Sequence, residues 1–187
     1  MTSIFKKAAI VAIALVTISV SAWAQTSSFV KGDNVVGASI GFGGFYSGSW
    51  YSSASRLPFI ALYYENCVKD NLFDENSALG IGAILGHTSI KWSDNWKYSN
   101  TIIGLRGALH YAFVDNLDTY TGLMLGYDIW SHKYYGSWSG GNYSGGSSGL
   151  AFSWFLGARY YFNDNIAALC ELGYGVAPIN IGLALKF

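Results

Sequence analysis

The sequence is short of charge, of proline and of cysteine, and after its first 24 residues it has no apolar run long enough for a membrane-spanning helix. Charged side chains make up 12% of the 187 residues and apolar ones 51%, which is not the composition of a disordered chain. The 11 basic and 11 acidic residues cancel, so the positive excess typical of nucleic-acid-binding proteins is missing. Glycine, with 23 residues, and aromatic residues, at 17%, are abundant, and this favours short strands joined by turns in one domain.

The first 24 residues have the pattern of a secretory signal peptide. Lys6 and Lys7 precede an apolar run over 8–20, and Ala22-Trp23-Ala24 supplies the small-x-small motif that signal peptidase cleaves. The run is shorter than the roughly 20 residues that a membrane helix needs. We therefore predict a signal peptide at 1–24 and a separate mature domain at 25–187.

Large apolar side chains occupy alternate positions along the mature domain, most clearly in the last segment, at Ile179, Ile181, Leu183, Leu185 and Phe187. Without apolar helices, a chain can cross a bilayer only as a closed barrel. The alternation predicts eight strands, near 34–44, 57–67, 77–88, 100–113, 118–130, 149–162, 166–175 and 177–187. A soluble barrel would point its bulky side chains inward, and a small eight-stranded interior has no room for so many. The pattern therefore favours a membrane barrel.

The placement of charge supports this interpretation, because a charge on the lipid face near the bilayer centre costs about 2–4 kcal/mol. None falls on the predicted outward face, and most fall in turns and loops, where we place Asp118. Three acidic and three basic residues face inward as a neutral lumen charge network: Glu65, Arg106, Asp128, Arg159, Glu171 and Lys186. Arg159 and Glu171 lie on neighbouring strands, which predicts a diagonal ion pair. His110 also faces inward and is interpreted as an interior histidine.

The C-terminal strand 178–187, which ends in the aromatic Phe187, resembles that of the small eight-stranded outer-membrane barrels of the OmpX and OmpA transmembrane type. The segment 168–175 is similar to the penultimate strand of the outer membrane protein beta-barrel domain group. The resemblance implies an all-β fold, an eight-stranded antiparallel up-and-down transmembrane β-barrel over 25–187. It also implies a monomer in the outer membrane of a Gram-negative bacterium, in contact with lipid and lipopolysaccharide. The alternating residues of the last strand would then be the signal read by the barrel-assembly machinery.

Loop lengths predict the topology, because such barrels have short periplasmic turns and longer external loops. We expect both termini in the periplasm. The predicted external connections are 45–56, 89–99, 131–148 and a very short one near Val176. The predicted periplasmic turns are 68–76, 114–117 and 163–165.

Aromatic residues are concentrated in the predicted external loops. Six of them are candidate contacts for a surface glycan or protein ligand: Trp50, Tyr51, Trp92, Trp96, Trp138 and Tyr143. The Gly/Ser-rich stretch 137–148 is typical of a flexible tip that presents such side chains. In the alternative interpretation these rings sit at the membrane interface and bind no specific ligand.

The function favoured by these features is non-catalytic: an envelope-structural barrel with adhesion-like recognition through its loops. A narrow ion-conducting pore through the charged lumen is the first alternative. A lipid A-modifying enzyme is the second, with His87 and His132 near the external mouth, but no nucleophile and base pattern accompanies them. We predict no cofactor and no metal site. Cys67 and Cys170 fall on strands that are not neighbours, so no disulfide is expected.

Overall fold

A computed structural model describes residues 28–43, 55–92, 95–135 and 143–187. It contains eight strands, in chain order β1 Asn34–Phe42, β2 Ser55–Asp70, β3 Ser77–Trp92, β4 Trp96–Val114, β5 Leu117–Tyr134, β6 Tyr143–Tyr161, β7 Ile166–Tyr174 and β8 Ile179–Lys186. Each strand pairs antiparallel with the next, and β8 pairs with β1 to close the barrel. The predicted eight-stranded up-and-down barrel is confirmed. In the described ranges no helix is both long and apolar enough to cross a membrane.

The barrel is apolar on the outside and polar on the inside. Outward side chains such as Leu105, Leu125 and Leu183 are 70%, 61% and 60% exposed, whereas the inward Arg159 is fully buried. This is the reverse of a soluble protein and matches a surface solvated by lipid. The outward set that alternation predicts is the one that the structure exposes, because the period of two puts all of a strand's bulky residues on one face.

Small inward residues leave room for the rings that fill the narrow interior. A Cβ at Gly157 would collide with the Tyr120 ring, and one at Gly37 would collide with Tyr63. An eight-stranded barrel has an interior just wide enough for its own side chains, so a large ring on one strand requires a small residue opposite. Inward-facing glycines such as Gly37 and Gly157 therefore make room for the rings of neighbouring strands.

The two ends of the barrel differ. One end, here the termini end, carries residues 28–33, Phe187 and the turns at 71–76, 115–116 and 162–165. Asn71 and Asn116 adopt φ of 49° and 62° in these turns, a left-handed conformation that asparagine tolerates. The other end, here the loop end, carries the connections β1–β2, β3–β4, β5–β6 and β7–β8.

At the loop end, β3, β4, β5 and β6 extend further than the sequence predicts. β3 and β4 continue to Trp92 and Trp96, and β5 and β6 continue until Tyr134 pairs with Tyr143. Residues 143–148 therefore belong to β6, and their prediction as part of a flexible tip is wrong. Their Gly/Ser composition does not favour a strand, but β5 offers a complete ladder of backbone partners, and pairing overrides the local preference. Residues 137–142 lie outside the described residues.

Candidate functional site

A cluster of four ionisable side chains fills the lumen in the half nearer the termini end. Arg159 on β6 places Nη2 2.7 Å from Glu65 Oε2 and Nε 3.0 Å from Asp118 Oδ2. His110 on β4 lies between the same two carboxylates, with Nε2 3.0 Å from Glu65 Oε1 and Nδ1 2.9 Å from Asp118 Oδ1. The two ring nitrogens of His110 can both donate hydrogen bonds only when the ring is protonated. In that state the two positive and two negative charges of the cluster sum to zero. We call these four residues the lower cluster.

The chain segment before β1 covers the lower cluster. Phe29 is fully buried, and its ring centroid lies 4.5 Å from that of His110 and 5.2 Å from the Arg159 guanidinium carbon. Lys186 holds this segment by donating from Nζ to the Ser28 carbonyl at 2.9 Å. An aromatic ring therefore closes the lumen below the buried charges and keeps water from them.

A second ion pair lies further toward the loop end. Arg106 Nη2 is 2.6 Å from Glu171 Oε1, and the guanidinium carbon lies 4.0 Å from the centre of the Phe155 ring. Tyr120 connects this pair to the lower cluster: its hydroxyl donates to Glu171 Oε1 at 2.8 Å, and its ring centre is 4.7 Å from the Arg159 guanidinium carbon. The buried charges thus form one continuous arrangement along the lumen axis.

The structure brings together four of the six charges assigned to the lumen network, in two different pairs. The predicted ion pair between Arg159 and Glu171 is wrong. Arg159 turns toward Glu65 and Asp118, which offer two carboxylates, while Glu171 accepts from Arg106. Asp118 was placed in a turn, which is also wrong: it lies in β5, faces the lumen and is 2% exposed. Its neighbour on β6 in the strand register is Arg159, a pairing that the sequence pattern alone did not reveal.

The other two predicted lumen residues take no part in the ion pairs of Arg159 and Arg106. Asp128 lies nearer the loop end and accepts from Trp130 Nε1 at 2.6 Å. Lys186 lies at the termini end, with Nζ 3.7 Å from Asp33 Oδ2 and 5.0 Å from the centre of the Tyr161 ring.

The space beside the Arg106–Glu171 pair is small. A cavity of about 30 Å³ lies between this pair and the loop end, with Ser39, Ser153 and Asn180 in its lining. That is enough for ordered water and too little for a wide passage. The described part of the lumen is therefore a packed interior rather than a wide channel.

At the loop end the extended parts of β3, β4, β5 and β6 form a wall, here the raised wall, and a group of aromatic side chains lines its inner face. We call it the aromatic rim: Trp96, Tyr98, Trp130, His132 and Tyr134. The Trp96 ring stacks on Tyr98 at a centroid distance of 6.1 Å and an angle of 9°, and it packs against Tyr134 at 4.7 Å. Gly145 on β6 faces His132, and a Cβ there would lie 2.5 Å from the ring. All five rings have alternate positions on their strands, two on β4 and three on β5, so the strand period aligns them.

Of the candidate loop contacts, the structure places Trp96 in the aromatic rim. Trp92 is the last residue of β3 and Tyr143 the first of β6. Trp50, Tyr51 and Trp138 lie outside the described residues. Tyr98 and Tyr134 emerge as partners of Trp96 because the strands run further than predicted.

The residues of the predicted assembly signal all point outward on β8 and beyond it. Ile179, Ile181, Leu183 and Leu185 are each about half exposed, and Phe187 is 68% exposed. The backbone of Phe187 pairs with Asn34 through two hydrogen bonds of 2.9 Å. The aromatic ring thus stands at the outer edge of the closing seam between β1 and β8.

The two histidines considered for catalysis lie on opposite faces of the raised wall. His87 faces outward, with Nδ1 2.9 Å from Thr101 Oγ1, whereas His132 belongs to the inward-facing aromatic rim. In the part of the chain that the structure describes, no group of three or more His, Cys, Asp or Glu side chains is arranged to hold a metal ion. Cys67 and Cys170 are free thiols, the first buried and the second exposed on the outer face.

A closed ring of eight antiparallel strands with an apolar outer belt and a charged, filled interior defines a small transmembrane β-barrel.

No protein-family model matches the chain, and no curated protein matches it. The structure is similar to Neisserial surface protein A, with a TM-score of 0.52 and 11% identity over 84% of this chain and 98% of that one. It is also similar to Ail, the attachment invasion locus protein of Yersinia pestis, with a TM-score of 0.51 and 11% identity over 84% and 100%. The N-terminal β-barrel domain of Pseudomonas aeruginosa OprF matches with a TM-score of 0.50, at 11% identity over 84% and 98%. The fold is that of the small eight-stranded outer-membrane barrels.

Proposed function

We propose that this protein is a monomeric, non-catalytic barrel of a Gram-negative outer membrane that recognises ligands at the cell surface through its aromatic rim. In this proposal 1–24 is a cleaved signal peptide and 25–187 is the barrel. The termini end faces the periplasm and the loop end faces the medium. The last strand is read by the barrel-assembly machinery.

The raised aromatic wall is the observation that carries the proposal. Strands that served only to cross the bilayer could end near its surface, but β3 to β6 continue past the outward apolar side chains. The inner face of this extension presents Trp96 stacked on Tyr98 and packed against Tyr134. Flat, amphipathic rings held by neighbouring strands can stack on sugar rings or anchor a protein partner at low entropic cost. The packed lumen below them argues against a transport role.

A structural neighbour supports a saccharide as the ligand class. The structure of Ail has been solved in complex with the heparin analogue sucrose octasulfate, and that complex matches this chain with a TM-score of 0.50 at 11% identity. At this identity the likeness extends to the fold and no residue is carried over.

Binding to a panel of neutral and sulfated oligosaccharides tests the proposal. The refolded barrel in detergent should bind at least one member, and the double variant Trp96→Ala/Tyr98→Ala should bind it at least about tenfold more weakly, as expected for central aromatic contacts. Tyr135→Ala is the matched control, because Tyr135 is an exposed ring just beyond β5. Equal binding by the double variant and the control, or no binding by the wild-type protein, would leave the barrel an envelope-structural protein.

A further inference from the structure

An open groove of about 580 Å³ lies on the outer face of the barrel near the termini end, and we call it the outer groove. Its floor is a patch of small side chains on three adjacent strands. The register places Thr119 on β5 opposite Ala158 on β6, and Ala158 opposite Cys170 on β7. Larger apolar or aromatic side chains border this patch: Phe73, Leu109, Tyr111, Phe113, Leu156 and Leu172. The small residues therefore leave a depression in the lipid-facing surface.

The two threonines of the outer groove need no polar ligand. Thr119 Oγ1 donates to the Tyr111 carbonyl at 2.6 Å, and Thr121 Oγ1 donates to the Phe155 carbonyl at 3.0 Å. Because the strand backbone satisfies both hydroxyls, an apolar chain can cover them without leaving a donor unpaired. The floor is therefore suited to a hydrocarbon chain.

The β2–β3 turn forms one wall of the groove. The Tyr111 hydroxyl donates to Asp74 Oδ2 at 3.0 Å, and the Ala112 amide donates to the Asn76 carbonyl at 3.0 Å. These bonds hold the turn against β4, and Phe73 in the turn is 79% exposed beside the groove. An exposed ring at this position is typical of the interface between the apolar core of a bilayer and its headgroups. The turn thus places the Asp74 carboxylate next to an apolar groove.

The exposed charges around this end of the groove are all acidic. In the described turns β2–β3, β4–β5 and β6–β7 they are Asp74, Glu75, Asp115 and Asp164. The described lysines of the termini end lie on or before β1, β2 and β8, and none lines the groove: Lys31, Lys69 and Lys186. A lipid headgroup at this position meets negative charge, which attracts an ammonium group and repels an anionic headgroup.

Acyl chains of the bilayer surround this face, and between apolar surfaces in lipid it is packing that decides where a chain binds. A chain in the groove contacts protein on its floor and on both sides, whereas a chain on the flat part of the belt contacts protein on one side. Each added contact contributes dispersion energy. The groove should therefore hold a chain more strongly than the surrounding surface does.

We propose that the outer groove binds one zwitterionic phospholipid whose headgroup carries a primary ammonium. An acyl chain lies over Thr119, Ala158 and Cys170, and the ammonium lies near Asp74 and Asp115. In the proposed orientation the termini end faces the periplasm, so the lipid belongs to the periplasmic leaflet. The site is on the outer face at the opposite end from the aromatic rim, and it is separate from ligand recognition there.

Native mass spectrometry of the refolded barrel tests the groove. The protein is transferred from micelles doped with equal amounts of phosphatidylethanolamine and phosphatidylglycerol into lipid-free detergent. We expect wild type to retain one phospholipid and Ala158→Phe, which fills the floor, to retain at least about tenfold less. Ala83→Phe is the matched control, because Ala83 is an exposed outward residue of β3, between Tyr64 and Leu105 in the register. The gel shift on heating checks that each variant is folded, and Ala158→Leu replaces Ala158→Phe if that variant does not refold.

The same spectra test the headgroup. Wild type should retain phosphatidylethanolamine over phosphatidylglycerol by at least about fivefold, the effect of one charged side chain near a lipid headgroup. Asp74→Asn/Asp115→Asn should retain lipid but lose this preference. Asp33→Asn/Asp70→Asn removes the same charge from the β1 and β2 side of the termini end and should keep the preference.

Wild type without a retained phospholipid, or equal retention by Ala158→Phe and Ala83→Phe, overturns the site. Equal retention of the two phospholipids by wild type overturns the ammonium assignment. A wild-type dimer that only Ala158→Phe abolishes would make the groove a contact between two copies of the chain, and it also overturns the proposal. None of these outcomes depends on the aromatic rim, since Trp96→Ala/Tyr98→Ala should keep its phospholipid and Ala158→Phe should bind saccharide as wild type does.

Discussion

At the scale of single residues, the lumen depends on a fully buried arginine. Arg159 contacts Glu65 and Asp118, and its guanidinium lies over the Tyr120 and Phe29 rings. Taking such charges out of water is costly, and their mutual attraction offsets that cost only while every partner is present. Removing the arginine leaves two buried carboxylates beside one imidazole.

We therefore expect Arg159→Met to lower the free energy of unfolding by about 3–5 kcal/mol, the cost of breaking a buried ion pair from one side. Urea unfolding of the refolded barrel in micelles, followed by the gel shift between folded and unfolded forms, measures the change. Lys69→Met is the control, since Lys69 is exposed, and it should change stability by less than about 0.5 kcal/mol. A loss for Arg159→Met no larger than for the control would mean that the lower cluster does not hold the barrel together.

At the scale of elements, the upper part of β6 is a strand with only one neighbour. Residues 143–148 pair with β5, and β7 begins to pair with β6 only at Trp154. The Gly/Ser composition of this segment favours a flexible tip, and the structure replaces that prediction with a continuous ladder. Pairing with β6 holds the end of β5 in place, and β5 carries three of the five side chains of the aromatic rim.

Hydrogen exchange distinguishes these two states of the segment. In a strand with one neighbour, about half of the backbone amides over 143–148 donate to β5 and should exchange at least about 100-fold more slowly than a free peptide. Asp164, at the opposite end, provides the comparison, because it lies in an exposed turn outside the strand ladders. Exchange over 143–148 at free-peptide rates would restore the flexible tip.

At the scale of the whole molecule, the barrel separates two ends of unlike charge. The described exposed charges of the termini end are mostly acidic, including Asp74, Glu75 and Asp164, and those of the loop end are the basic Lys91 and Lys133. The lumen between the two ends is packed with side chains and leaves no wide channel in the described residues. This arrangement makes orientation and conductance the two properties to measure.

Cysteine labelling measures the orientation. In a background with Cys67 and Cys170 replaced by alanine, Ser144→Cys at the loop end should react with a membrane-impermeant maleimide in intact cells. Asp164→Cys at the termini end should react only after the outer membrane is opened. The opposite result would place the loop end in the periplasm and remove the proposed cell-surface role.

Planar-bilayer recording tests the closed lumen. We expect the wild-type barrel to show no steady conductance, because Arg106, Glu171 and Phe155 fill the interior. Glu171→Ala removes one side of this packing and should raise the frequency of small openings. Steady conductance in the wild-type protein, lost when Arg106 or Arg159 is neutralised, would support the ion-conducting pore instead.

The sequence by itself determined the strand number, the neighbour order and the outward face of each strand. It could do so because alternation is local: a bulky outward residue such as Ile103 is followed two positions later by the next one, Leu105. The positions of the buried charges in the lumen followed from the same parity, as for Arg106 and Glu171.

Only the tertiary structure decided which charges pair and how far the strands rise. Arg159 joins Glu65 rather than Glu171 because long side chains cross a narrow lumen, and parity along one strand carries no information about the opposite wall. The extension of β6 through a Gly/Ser segment depends on its register with β5, and the aromatic rim depends on the register between β4 and β5. Register is the alignment of residues on two paired strands, so it is fixed only when the strands pair in the closed barrel.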